Sequence, residues 1–150
     1  MLKGLDVRLN AEVLYALRAM GHGDTVALVD TNFPADSVAR QTTFGRLIRM
    51  ENLTAAEAAE AVLSVLPLDT FVEDFALRME VVGAPAEVPA VQQEVQAVID
   101  SAEGRARPLQ STERFAFYEE EKQAYAVIQT GERRFYGCFV FRKGVIPPEA

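Results

Sequence analysis

The chain has 150 residues, 49% hydrophobic and 25% charged, a size and balance that suit one globular domain able to bury roughly 68–70% of the surface its unfolded form exposes. Its 22 acidic against 15 basic residues leave a formal net charge of −7, which argues against nucleic acid as the main ligand, because phosphate binding rests on clustered Lys and Arg. A single cysteine excludes an intrachain disulfide and a multi-thiolate metal centre.

Residues 1–20 interleave Asp6, Arg8, Glu12 and Arg18 with apolar side chains, unlike a secretory leader, and no apolar run approaches the ~18 residues of a membrane span. Both features predict a cytoplasmic protein without membrane contact.

Asn10 followed by Val13, Leu14, Leu17 and Met20 at helical spacing predicts a helix over 11–20, capped by Asn10 and stopped by a left-handed Gly21. Thr25–Val29 is a short apolar run rich in β-branched residues, expected to be a strand covered on both faces. Residues 30–37 then read as a polar loop at that strand's carboxyl end, where α/β proteins commonly hold ligands. A second strand is expected over 46–50. Thr54 and Glu57 have the spacing of a capping box before the apolar face of Ala58, Val62, Val65 and Leu66, with Pro67 as the stop. A strand over 75–82, a Gly/Pro connection, and a helix along Val91, Val95, Val98 and Ala102 ending near Gly104 follow. The last third predicts a helix over 114–122 and two strands, 125–130 and 136–141, around a tight hairpin-like connection at Gly131–Arg134. Strands alternating with helices define an α/β protein, and no repeat or linker divides 1–150.

His22, the only histidine, sits in Gly21-His22-Gly23-Asp24. A side chain titrating near ~6.5 can exchange protons at neutral pH, although a surface histidine in a helix-to-strand turn has the same pattern. Asp30 ends the first predicted strand, where its carboxylate can accept sugar hydroxyls or simply cap the loop. Arg114 and Tyr118, four apart on one helix face, offer a charged fork and a phenol suited to a polyol; the plainer alternative is the solvent edge of an amphipathic helix whose anchors are Phe115 and Phe117. Glu119-Glu120-Glu121 reads as a solvated helix face rather than a metal site. Cys138, in Tyr136-Gly137-Cys138, reads as a small buried hydrophobe. The chain carries none of the glycine-rich phosphate loops or the G-x-S-x-G elbow, so nucleotide and redox cofactors are not expected.

Seven segments in order, Met1-Leu2-Lys3-Gly4, Gly21-His22-Gly23-Asp24, Asp30 with Asn32-Phe33-Pro34-Ala35, Arg114-Phe115-Ala116-Phe117-Tyr118-Glu119, Thr130-Gly131-Glu132-Arg133, Tyr136-Gly137 and Lys143-Gly144-Val145, resemble the RbsD/FucU family of sugar mutarotases. The Arg-Phe-Ala-Phe-Tyr-Glu segment is closer to the L-fucose mutarotase branch than to the D-ribose pyranase branch. The resemblance implies a three-layer α/β/α sandwich in a homo-oligomeric ring, commonly a decamer, with cofactor-free and metal-free monosaccharide sites where subunits meet. It also implies that His22 is the proton donor, with Tyr118 as its catalytic companion, and that Asp30, Arg114, Tyr136, Gly137 and Cys138 contact the sugar. The fucose branch usually has His where this chain has Asn32 and Asn where it has Cys138. Those departures leave open a related sugar, a D-ribose pyranase-like activity, or a non-catalytic monosaccharide-binding protein of the same fold.

Overall fold

The computed structural model describes residues 1–149. Its first helix, α1 (Ala11–Ala19), is capped as expected: the Asn10 side chain accepts the Val13 N–H at 3.0 Å. The left-handed residue behind it is Gly23, with φ 88°, and not Gly21. Gly21 instead donates its N–H to the Asp24 carboxylate at 2.8 Å, tightening a turn that closes through Asp24 N–H to Gly21 C=O.

Six strands, β1 (Thr25–Val29), β2 (Ile48–Met50), β3 (Ala76–Met79), β4 (Gln110–Thr112), β5 (Ala126–Thr130) and β6 (Phe139–Arg142), form one sheet in the order β2-β5-β1-β6-β3-β4. Every residue of β1 is buried, which its unbroken apolarity anticipates. The hairpin expected near 131–134 does not form. β1 lies between β5 and β6, parallel to the first and antiparallel to the second, because the most apolar strand gains most from the centre of the sheet.

Four further helices complete the layers: α2 (Ala35–Ala39), α3 (Ala55–Leu63), α4 (Ala90–Glu103) and α5 (Arg114–Lys122). Successive side chains of a strand point to opposite faces, so the sheet builds two cores. Val26, Leu28, Ile128, Phe139 and Phe141 pack with α1, α3 and α4. Ala27, Val29, Val127, Cys138 and Val140 pack with α2 and Phe117 of α5. The three-layer α/β/α arrangement follows directly from that alternation. No helix among the described residues is long and apolar enough to cross a membrane.

The Thr54–Glu57 capping box is present, but α3 stops at Leu63, ahead of Pro67. The second and third strands are shorter than expected, three and four residues. Two elements lie where no regular structure was expected. α2 occupies part of the segment read as a loop and has only five residues, too few to reveal a helical period. β4 is a polar three-residue edge strand with no apolar alternation to read.

Candidate active-site cleft

Strand direction decides which residues meet. β1, β3, β4 and β5 run the same way, and β6 runs against β1 and β3, so the carboxyl ends of the four and the start of β6 share one edge of the sheet. Asp30 leaves β1 there, Met79 ends β3, β4 leads into Arg114, and residues 135–138 enter β6. A cleft of about 210 Å³ opens between them, with Asp30, Asn32, Arg114 and Tyr136 supplying polar groups and Phe33, Met79, Tyr118, Phe135 and Cys138 the walls.

Asp30 is 4% exposed. Its Oδ1 accepts the N–H groups of Asn32 and Phe33, each at 3.0 Å, and its Oδ2 accepts Gly137 N–H at 3.2 Å. The carboxylate therefore caps its own loop and also ties β1 to the segment entering β6. A carboxylate has about four acceptor positions, so capacity for a further hydroxyl remains on the cleft side. Gly137 has to be glycine for this approach: a Cβ there would lie 2.8 Å from Cγ of Glu132 and 3.4 Å from Cβ of Asp30. Its neighbour Tyr136 is the one non-glycine among the described residues with positive φ, at 64°, and strain of this kind persists where surrounding contacts enforce it. Those contacts are visible: Tyr136 C=O accepts from the Gln92 amide at 3.1 Å, and its hydroxyl accepts Val82 N–H at 3.2 Å.

The N–H groups of Phe115 and Ala116 are capped by the Glu113 carboxylate, which starts α5 at Arg114. Arg114 Nε donates to the Tyr118 hydroxyl at 2.9 Å, and that hydrogen bond raises the guanidinium pKa further. The four-residue spacing thus joins the two side chains on the cleft wall. The Tyr118 ring meets Phe33 edge-on at 5.2 Å. Two expectations for this helix need correction. Phe115 is 68% exposed, so Phe117 alone of the two phenylalanines anchors the helix. Glu121 is not part of a solvated face but fully buried, because the helical period carries it to the same side as Phe117. Cys138 is buried beside Asp30. Burial, and then the nearby negative charge of Asp30, push its thiol well above the usual range, which removes thiolate chemistry at neutral pH.

His22 is elsewhere. It precedes β1 whereas Asp30 follows it, and five residues at ~3.3 Å per residue separate the two edges by roughly 17 Å. There, His22 Nε2 faces Asp69 Oδ2 at 3.1 Å and packs edge-on against Phe71, with ring centroids 5.5 Å apart. Within one chain the structure gathers Asp30, Arg114, Tyr118, Tyr136, Gly137 and Cys138, and leaves His22 on the opposite edge.

Three supporting residues escaped the sequence reading. Asp69 is 2% exposed; its Oδ1 accepts Phe71 N–H at 2.9 Å and its C=O accepts Arg107 Nη2 at 2.8 Å. Gln92, buried on α4, binds Met79 C=O and Tyr136 C=O and accepts from Arg78. Glu132 is nearly fully buried; its side chain accepts the Ala55 N–H and the Arg134 N–H and guanidinium, and its C=O accepts Thr31 N–H. The Arg134 hydrogen bonds hold its carboxyl down to about 2 despite burial. Nothing in the local sequence marks these three out, Gln92 and Glu132 each lying among other polar residues, and only the packed surroundings reveal their partners.

Residues 3–146 match the model of the RbsD / FucU transport protein family. The chain is 44% identical over 148 residues to the fucose mutarotase of Homo sapiens, covering 97% of this chain and 94% of that protein. Among solved structures, protein Atu2016 superposes with a TM-score of 0.96 at 62% identity, over 98% of this chain and 97% of that one. The fucose mutarotase of Streptococcus pneumoniae in complex with L-fucose superposes with a TM-score of 0.87 at 30% identity, over 97% of this chain and all of that one. Together with the α/β/α architecture and the cleft at its sheet edge, these likenesses establish that the chain belongs to the RbsD/FucU family.

Proposed function

We propose that the protein is a sugar mutarotase that interconverts the α and β anomers of L-fucose or a closely related monosaccharide. The observation that carries this reading is the cleft, which combines an acidic acceptor, a guanidinium–phenol pair and apolar walls in a volume of sugar size, in a chain similar throughout to proteins named fucose mutarotase.

The chemistry asks little more. Anomer exchange removes the proton from the O1 hydroxyl and delivers one to the ring oxygen. The C1–O5 bond then breaks to give the open aldehyde, and the ring recloses on the other face with the reverse proton movements. A group that can both take and give a proton serves in both directions, and a second polar group carries the other proton or stabilises developing charge. His22 and Tyr118 take those roles, while Asp30, Arg114 and the Tyr136–Cys138 segment hold the remaining hydroxyls so that the opened sugar recloses in place.

Because His22 and the cleft occupy opposite edges of one chain, the reaction centre is completed by a neighbouring copy that brings its His22 edge to this cleft. Exposed aromatic residues on both sides favour such contact, Phe71 beside His22 and Phe115 and Phe135 at the cleft. This gives the expected homo-oligomer a physical reason, and a closed ring satisfies every copy in turn.

Exchange spectroscopy on equilibrated L-fucose tests the proposal directly: protein at micromolar concentration accelerates transfer between the two anomeric signals. No acceleration with fucose, ribose, galactose or rhamnose overturns it, and saturable sugar binding without exchange identifies a non-catalytic binding protein instead.

A further inference from the structure

Glu121 is fully buried, and neither of its carboxyl oxygens has a hydrogen-bond partner, the only side chain among the described residues in that condition. It lies one turn beyond Phe117, and these two are the buried residues of the nine-residue α5. Half of the helix's inward anchorage is therefore an unpartnered acid. α2, which packs on α5, buries Ala35, Val38 and Ala39, none of which can pair with it. The ionisable groups that act on it from the sheet are Asp30 at the end of β1 and Cys138 at the start of β6; on its own helix Tyr118 and Lys122 flank it. Asp30 accepts three backbone N–H groups, as suits an anion, while Glu121 has none. Burial first, and the Asp30 charge second, raise its carboxyl well above the usual range.

We propose that Glu121 is a positioning residue that works as a neutral acid: uncharged, it seats α5, and with it Arg114 and Tyr118, against the sheet edge beside Asp30, and loss of its proton unseats the helix. A carboxylate buried there would meet no N–H donor or cation of the chain, which makes the charged form far costlier than the neutral acid, so ionisation is coupled to opening of α5 to solvent. Opening and proton release are one event, and the cleft wall is lost with them. The mutarotase reading enters only in what the cleft holds.

Two measurements on the full chain need no sugar. In protein carrying 13C at its glutamate carboxyls, one resonance stays at the protonated position at neutral pH and is missing from Glu121→Gln. Amide protection over residues 115–121, corrected for intrinsic base catalysis, falls about tenfold per pH unit once Glu121 begins to ionise, since one proton leaves with each opening; Glu121→Leu lacks this excess. If the Leu variant fails to fold, the Gln variant serves as the comparison. With L-fucose as probe, the wild-type KM rises on the alkaline side and that of Glu121→Gln does not. A Glu121 carboxyl ionised at neutral pH in the native protein, or an equal alkaline loss of protection in wild type and variant, overturns the proposal. Absence of turnover with every sugar would defeat the mutarotase reading and leave the first two measurements decisive for Glu121.

Discussion

His22 Nε2 stands 3.1 Å from Oδ2 of Asp69, a buried carboxylate held in turn by Phe71 N–H through its other oxygen. Asp69 cannot turn away without abandoning a backbone partner, so it fixes the orientation of the only imidazole in the chain. His22→Ala is expected to lower kcat for anomer exchange by about 10²–10⁴-fold, the usual share of a general acid–base. Asp69→Asn keeps an acceptor for Phe71 and mis-sets only the ring, for an expected loss of roughly 10–100-fold with KM little changed. Exchange spectroscopy on both variants checks this; a fully active His22→Ala removes the histidine from the mechanism.

Arg114 and Tyr118 are bonded to each other at the cleft wall, Arg114 exposed and Tyr118 half-buried with its ring against Phe33. Arg114→Lys replaces a fork by a point charge and is expected to raise KM by roughly 10–100-fold, the scale of one or two hydrogen bonds to a charged group. Tyr118→Phe keeps the ring against Phe33 and is expected to lower kcat more than it raises KM. Both variants should unfold within ~0.5 kcal/mol of wild type, so a large loss of stability would show the pair to be structural.

Gly137 lets Asp30 and Glu132 approach the same point of backbone. Gly137→Ala puts a methyl 2.8 Å from Cγ of Glu132, and overpacking of this kind costs about 1–3 kcal/mol. Denaturant unfolding measures that cost, and weakened sugar binding should accompany it because the Asp30 carboxylate is displaced.

Glu132 ties stability to acid. Its folded carboxyl titrates at about 2 against an ordinary 4.5, so on acidification the unfolded chain takes up the proton first. The stabilisation is complete above the ordinary value and disappears as pH falls through about 2. Glu132→Gln should lose about 1.5–3 kcal/mol near neutrality, the scale of hydrogen bonds to a charged group, and should flatten the acid limb of an unfolding-free-energy profile. An unchanged acid limb would assign it to other carboxylates.

Local rules account for what was legible in the residues alone. Asn10, the Thr54–Glu57 box and the all-apolar Thr25–Val29 run act over a few residues, and they appear in the fold as expected. Arg114 and Tyr118 are close because a helix brings i and i+4 together, which needs no knowledge of the rest of the chain. The family resemblance, carried by motifs in order, gave candidate roles to positions along the chain but did not say which of them share a cleft within one chain.

Tertiary structure decided the rest, because the deciding quantity was distance between segments far apart in sequence. Strand insertion broke the expected hairpin and set the start of β6 beside the end of β1, which is how Asp30 reaches Gly137 across 107 positions. The same strand direction carried His22 to the far edge and paired it with Asp69, 47 positions away. Burial, which a run of three glutamates hides, separated Glu121 from its neighbours. Composition and period specify how much of a chain lies inside and which face turns inward; only the packed sheet determines what each inward residue meets.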